Sequence, residues 1–375
     1  MYSNQKKIGL LEIKNRFVRS GTMDGMASED GEVSPRQIKL YKNLAEGGVG
    51  LIITGSTYVH SNGQSQPHQW GIERNDRIDG LSKIAEIIHN HGNDCKVALQ
   101  LQHCGRQSRA LESTLAPSAI MEKLTKKMPR EMTIQEIEKT VEAFAQAIRR
   151  AKEAGFDAIQ LHGAHGYLIS EFLSPYTNKR TDKYGGSTEN RTRFIKEIYN
   201  RSVELVGKDY PILIKMNCDD YLEGGINLDE SKRIAKNLVN IGIAAIELSS
   251  GMWEVLKRRK KDLGWNPTFL VESRTFIGTK NKPAYHLPYA KEIKKVTNIP
   301  LILVGGINSL NLADKILREG SADFISLCRP LIREPDLPKR WLEGSGDPEV
   351  ECIYCNGCLS SVATTGLRCV KKFPS

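Results

Sequence analysis

The sequence predicts an α/β protein of the (β/α)8 TIM-barrel class, a single domain carrying a Cys-rich C-terminal tail. Three observations predict it. Short β-branched runs alternate with longer amphipathic segments from one end of the chain to the other, the pattern of repeated βα units around a parallel sheet. The alternation completes eight units, the number that closes a barrel. No Gly-x-Gly-x-x-Gly turn follows the first or the second strand, as an open dinucleotide-binding sheet would want.

The units follow in order. A strand over 17–22 leads to a helix over 35–46, after which Gly47 suits a left-handed cap. Strand 49–57 leads to helix 77–90 and Gly92, and strand 96–101 to helix 134–154 and Gly155. Strand 158–161 precedes helix 189–206, and strand 212–216 precedes helix 229–241 with Gly242 behind it. The last three are strand 245–248 with helix 288–296, strand 301–304 with helix 310–319 and Gly320, and strand 324–327 with helix 335–342. No Pro-, Gly- or Ser-rich linker interrupts the series, so residues 1–345 read as one barrel and 346–375 as a tail packed on it. Two segments, 106–130 and 252–285, are too long for plain connections. In a barrel, βα loops of that length lie over the active-site mouth.

Composition narrows the class. With 375 residues, 39% hydrophobic and 26% charged, the chain can bury a sizeable core and is neither disordered, fibrous nor a small disulfide scaffold. The balance of 54 basic against 44 acidic residues suits nucleic acid, an acidic membrane surface or a phosphate-bearing ligand, and selects none of them. The densest basic run, Lys257-Arg258-Arg259-Lys260-Lys261, reads as a solvated loop face. No 18-residue apolar run and no signal peptide are present, so a cytoplasmic protein is expected, with no membrane contact. Of eight cysteines, Cys352, Cys355, Cys358 and Cys369 crowd into the tail, which in that compartment reads as a metal site before disulfides.

Catalytic groups of a barrel gather at the carboxyl ends of its strands. Those positions here carry Ser20 and Thr22, Ser56 and Thr57, Gln100 with His103, His162 with His165 and Tyr167, Lys215, Ser249, Gly305-Gly306 and Arg329. Any one Ser or Gln among them also serves as a cap; jointly the set points to a site. At the seventh and eighth strand ends, Gly305-Gly306 lets backbone N–H groups approach an anion and Cys328-Arg329 adds a fixed charge, which implies a phosphorylated ligand. At the fourth, the imidazoles of His162 and His165 can both point at one oxygen, while the Tyr167 phenol can give a proton to another atom of the same substrate. A metal is the rival reading of the pair, but no third carboxylate or thiol accompanies it.

The stretch His162-Gly163-Ala164-His165-Gly166-Tyr167-Leu168, continuing through Phe172-Leu173-Ser174-Pro175 and Asn178-Lys179-Arg180-Thr181-Asp182, resembles the Old Yellow Enzyme family of FMN-dependent NAD(P)H:flavin oxidoreductases. Gln100-Leu101-Gln102-His103-Cys104-Gly105-Arg106, Gly305-Gly306-Ile307 and Cys328-Arg329-Pro330 support the resemblance, which runs from about Lys14 to the C-terminus. It is strongest to bacterial members and to the barrel shared with 2,4-dienoyl-CoA reductase and trimethylamine dehydrogenase. The resemblance implies FMN across the barrel mouth, its phosphate at Gly305, Gly306, Cys328 and Arg329. It implies the ring held by Ser20, Met23, Ser56 and Gln100, and Lys215 near N1 and C2=O, where positive charge favours the reduced flavin. It further implies that His162 and His165 polarise a carbonyl, that hydride from the flavin adds at the β carbon, and that Tyr167 protonates the α carbon. NADH or NADPH would reduce the flavin first. Met23 stands where some bacterial members carry a potential-tuning cysteine, and Trp253, Trp265 and Tyr285 in the 252–285 insert look like substrate-lid material.

Cys352-Ile353-Tyr354-Cys355-Asn356-Gly357-Cys358, with Cys369 beyond, resembles the segment that binds a [4Fe–4S] cluster in the family's iron–sulfur members. Four thiolates also suit a structural zinc. Those members continue into further nucleotide-binding domains, whereas this sequence stops at Ser375, so a redox partner is expected to be a separate protein. The leading expectation is an ene-reductase acting on an α,β-unsaturated carbonyl or thioester, as a homo-oligomer. The alternative is an electron-transfer flavoprotein or dehydrogenase subunit working through the cluster. An RNA-binding flavin barrel, which the net charge of +10 suggests, is disfavoured by the His162, His165 and Tyr167 set and by the lack of an RNA-binding domain.

Overall fold

The computed structural model describes residues 1–268 and 270–372. Eight parallel strands close into a barrel in chain order: Phe17–Arg19, Leu51–Tyr58, Lys96–Gln102, Ala158–Gly163, Ile212–Asn217, Ala245–Ser249, Leu301–Val304 and Phe324–Leu327. Ser326 of the last strand pairs with Val18 of the first, which closes the ring. The flanking helices are Pro35–Glu46, Ile78–His91, Ile134–Glu153, Thr188–Val206, Leu228–Ile241, Leu287–Lys294, Leu310–Arg318 and Leu337–Glu343. Five of them start at a side-chain cap, and the helices at Leu287 and Leu337 carry Pro in their first two positions. Ser34 and Thr133 form capping boxes with Gln37 and Glu136, and the Ser187, Asn227 and Ser309 side chains accept the third helical N–H of their own helices.

Two of the five expected left-handed glycine caps are corrected. Gly155, Gly242 and Gly320 have φ of +85°, +111° and +66°, but Gly47 and Gly92 sit at −73° and −92°. Those two are required for space. A Cβ on Gly47 would lie 1.8 Å from the Pro335 carbonyl oxygen, and one on Gly92 would lie 2.4 Å from Cys95 Cβ.

Alternation along the strands stacks the barrel interior in layers. At the amino-terminal end Leu51, Ala158, Ala245 and Phe324, then Val18, Ala98, Leu213 and Ile302, pack with Ile53 against Ile8 and Ile13. The last two belong to an antiparallel hairpin, Lys6–Ile8 with Leu11–Ile13, that plugs the bottom of the barrel. Above the apolar layers comes a buried polar one, Gln160, Glu247 and Ser326. Above that, Ser20, Gln100 and Lys215 line the mouth.

The two long inserts fold over that mouth. Trp253, Val255, Trp265 and Val271 make a cluster of their own against Tyr167. The basic run is on the surface, with Lys257 donating to the Lys123 carbonyl, Arg258 to the Tyr221 carbonyl at 2.5 Å and Arg259 pairing with Asp262 at 3.3 Å. The tail is fastened by Tyr354 Oη donating to the Ile307 carbonyl (2.6 Å) and Leu367 N–H to the Asp24 carbonyl (2.8 Å). Among the described residues no helix is long and apolar enough to cross a membrane.

Candidate active site

The carboxyl ends of the strands open into a cavity of about 770 Å³. Its floor is polar because the top layer of the barrel is. Lys215 Nζ donates to Ser20 Oγ at 2.9 Å and lies 3.4 Å from a Glu247 carboxylate oxygen, while Gln100 Nε2 donates to Gln160 Oε1 at 2.7 Å. Close approach is needed at Gly21, where a Cβ would fall 2.5 Å from Gln100 Nε2. A register shift between Ile53 and Ser56 in the second strand brings Ser56 to the cavity, its Oγ accepting from Gln69 Nε2 at 3.1 Å.

One wall carries the fourth-strand motif. After Gly163 the chain turns through His165 (φ +64°) and Gly166 (φ +83°) into the short helix Leu168–Leu173, with Tyr167 at its start. A non-glycine residue at positive φ is strained, and here its surroundings hold it: His165 N–H donates to Asn217 Oδ1 (3.1 Å) and its carbonyl accepts from Gln107 Nε2 (2.8 Å). The His162 ring lies edge-on to His165 at 5.0 Å and to Tyr167 at 4.9 Å. Burial lowers His162 to about 3, and burial together with the charges of its neighbours pushes His165 well down. Both rings are therefore neutral at physiological pH. His162 Nδ1 accepts the Ala164 N–H at 3.4 Å, which leaves the proton on Nε2. His165 Nε2 shares a 2.6 Å bond with Ser249 Oγ. Burial, and after it the negative charge of Glu272, raises the Tyr167 phenol above its ordinary range, so it stays protonated.

At the opposite end Gly305 and Gly306 take φ of +121° and +72°, conformations that suit glycine. Arg329 opens the helix Arg329–Arg333, buried over the Tyr354 ring at 4.7 Å. Its Nη1 donates to the Arg274 carbonyl (2.8 Å) and Asn356 Oδ1 (2.6 Å). Met23 and Cys328 complete this side, Cys328 Sγ being 3.1 Å from Thr22 Oγ1. The cofactor and catalytic residues expected from the resemblance thus all line one cavity, whereas Thr57 and His103 of the strand-end set do not. Sequence reasoning missed Gln102, Arg109, Glu272 and His286, which line it too. His286 bonds Ser250 Oγ and the Val304 carbonyl, each at 2.8 Å, and its only sequence signal is a place at the end of the long insert.

The donor set fits FMN. A cation, amides, a thioether, paired glycines and an arginine line the one cavity, the kinds of group that a polar ring system with a phosphate tail requires. The buried Gln102 Nε2 also has no hydrogen-bond partner in the protein.

The four tail cysteines line a second, small cavity together with Arg329, Arg333 and Tyr354. Among the described residues no group of three or more His, Cys, Asp or Glu side chains is placed to hold a metal, so the expected metal site at these cysteines is not formed here. Arg329 and Tyr354 line both cavities, and Leu359, Ser360, Val362 and Ala363 of the tail line the larger one.

The relatives of this arrangement are flavin enzymes. Residues 6–347 match the NADH:flavin oxidoreductase / NADH oxidase family. An NADH oxidase of Thermoanaerobacter brockii is 41% identical over 372 residues, covering 97% of this chain and 54% of that protein. A 2-naphthoyl-CoA reductase structure in complex with 2-naphthoyl-CoA superposes with a TM-score of 0.89 at 30% identity, over all of this chain and 57% of the other. The Old Yellow Enzyme homologue from Zymomonas mobilis gives 0.75 at 27% identity, covering 93% and 94%. The chain spans little more than half the length of the first two. Fold, cavity and these similarities agree: the chain belongs to the NADH:flavin oxidoreductase / NADH oxidase family, the family of the Old Yellow Enzymes.

Proposed function

We propose that the chain is the catalytic barrel of an NAD(P)H-dependent flavoenzyme that reduces the C=C bond of an α,β-unsaturated carbonyl or thioester. One observation carries this reading: His162 and His165, neutral hydrogen-bonding groups, share a cavity wall with a Tyr167 kept protonated. Bound FMN supplies hydride exchange between a reduced nicotinamide and the substrate. The protein's share is placement and proton transfer. His162 Nε2–H donates to the substrate carbonyl oxygen and His165 faces the same atom, and their bonds strengthen as negative charge grows there. Tyr167 delivers the proton to the α carbon. Ser20, Met23, Ser56, Gln100 and Lys215 hold the ring, and Gly305, Gly306, Cys328 and Arg329 the phosphate. The naphthoyl thioester bound by the similar reductase supports a thioester within the substrate range.

The shared wall supports a second reading, in which the tail holds a [4Fe–4S] cluster that exchanges electrons with the flavin and with a partner protein. The four cysteines line one small cavity, and thiolates in that number suit an iron–sulfur core as well as a zinc ion. Anaerobic purification followed by a visible spectrum with iron, zinc and sulfide analysis tests both readings. Flavin bands, with about four irons and matching sulfide per chain, are expected. One zinc without iron would make the tail structural, and absence of flavin would overturn the whole assignment.

A further inference from the structure

The layer beneath the cavity holds a charge that the proposed reaction has not used. Glu247, on the sixth strand, is fully buried where bulky apolar residues ordinarily fill a barrel. It pairs in register with Lys215 on the fifth strand, so both side chains enter the barrel interior side by side. One carboxylate oxygen, Oε1, accepts from Ser20 Oγ and Ser326 Oγ, each at 2.8 Å. The other accepts from Gln160 Nε2 at 2.9 Å and faces Lys215 Nζ at 3.4 Å. The Ser20 hydroxyl already accepts from Lys215, so its proton points to Glu247. Donors therefore surround both oxygens, the arrangement of an ionised carboxylate.

We infer that Glu247 sets the reduction potential of the flavin by countering the charge of Lys215. The inference rests on the FMN reading above, in which Lys215 faces the end of the ring where reduction places negative charge. A bare ammonium there would favour the reduced state strongly. A carboxylate directly behind it, in a dry layer where screening is weak, cancels part of that field and keeps the flavin a strong reductant. Glu247 also fixes where the ammonium stands: with one N–H on Ser20 and one toward Glu247, the third is left for the cavity. It is a positioning residue, because it does not itself line the cavity.

The test is the flavin midpoint potential of the purified holoprotein, measured by anaerobic spectroelectrochemistry, with retained FMN and the melting temperature recorded alongside. Glu247→Gln keeps the shape and removes the charge. The expected result is a rise corresponding to at least about tenfold in the two-electron reduction equilibrium, about 30 mV. Glu247→Asp keeps the charge but draws it back from Lys215, and should give a smaller rise. A flavin-loaded Gln variant with an unchanged or lowered potential overturns the inference even if its melting temperature falls, since packing alone moves stability and not potential. If the Gln variant does not fold, the Asp variant decides, and no rise there overturns it. Parent protein without a flavin spectrum would overturn the FMN reading itself, a result distinguishable from failure of this one.

Discussion

Tyr167→Phe separates the proton donor from everything that surrounds it. The substitution removes one oxygen and keeps the ring, whose edge contacts to His162 at 4.9 Å and Trp253 at 6.4 Å persist. Ser65, a polar neighbour of the lost hydroxyl, keeps its own 3.1 Å bond from Oγ to Gln69 Oε1, so no buried group is stranded. The stability cost should therefore stay within about 1 kcal/mol. Loss of a positioned general acid costs about 10²–10⁴ in rate, and the loss should fall on one half-reaction only. Anaerobic stopped-flow reads the two halves apart: reduction of the enzyme-bound flavin by NADH or NADPH, then its reoxidation by a conjugated enone. Reduction should be nearly unchanged and reoxidation slowed by at least about a hundredfold. Because burial raises the phenol, reoxidation in the parent should hold its rate up to about pH 10, the ordinary phenol pKa. Equal slowing of both halves, or none, would refute the assignment of Tyr167 as the donor.

Two further outcomes concern the scaffold. Gly47→Ala forces a methyl to within 1.8 Å of the Pro335 carbonyl oxygen and should destabilise by about 1–3 kcal/mol or more, read as a lowered melting temperature, although its backbone conformation is ordinary. His103 is buried with Nδ1 accepting the Gly105 N–H (3.1 Å) and Nε2 on Asn62 Oδ1 (2.9 Å), and burial lowers it from 6.5 to about 3. The unfolded chain takes up that proton below about pH 6.5 and the native state does not until about pH 3, so stability falls on acidification through this window by about 1.4 kcal/mol per pH unit. Urea midpoints across the window should show a shallower pH slope in His103→Gln than in the parent, and an unchanged slope would sink this account.

Much of the fold was legible because a parallel barrel writes the same unit eight times. The eighth strand, Phe324–Leu327, and the first helix, Pro35–Glu46, fall where the pattern puts them. The bottom hairpin was not legible, since strands of three residues carry no periodicity to read. The glycine caps divided on a similar point: composition marks where glycine stands, but only packing tells Gly47, which makes room for Pro335, from Gly320, which takes a positive φ. Lys215 and Arg329 were visible because they fall near or just past the carboxyl ends of strands. Glu247 was not, because its place in the barrel makes sense only once Lys215, Ser20, Ser326 and Gln160 are seen around it. Arg109 and Glu272 belong to inserts, and no repeat aims their side chains.

The stacking of apolar layers below and polar layers above also divides the molecule for the engineer. The hairpin and the layers around Val18, Leu213 and Ile302 lie one layer or more beneath Glu247 and touch nothing in the cavity. Volume-conserving substitutions there can accumulate thermal resistance without disturbing turnover. Changes to the two inserts can retarget the substrate while leaving the foundation as it is. A library that keeps these two groups of positions apart can optimise robustness and selectivity in parallel, and variants from one group should combine additively with variants from the other.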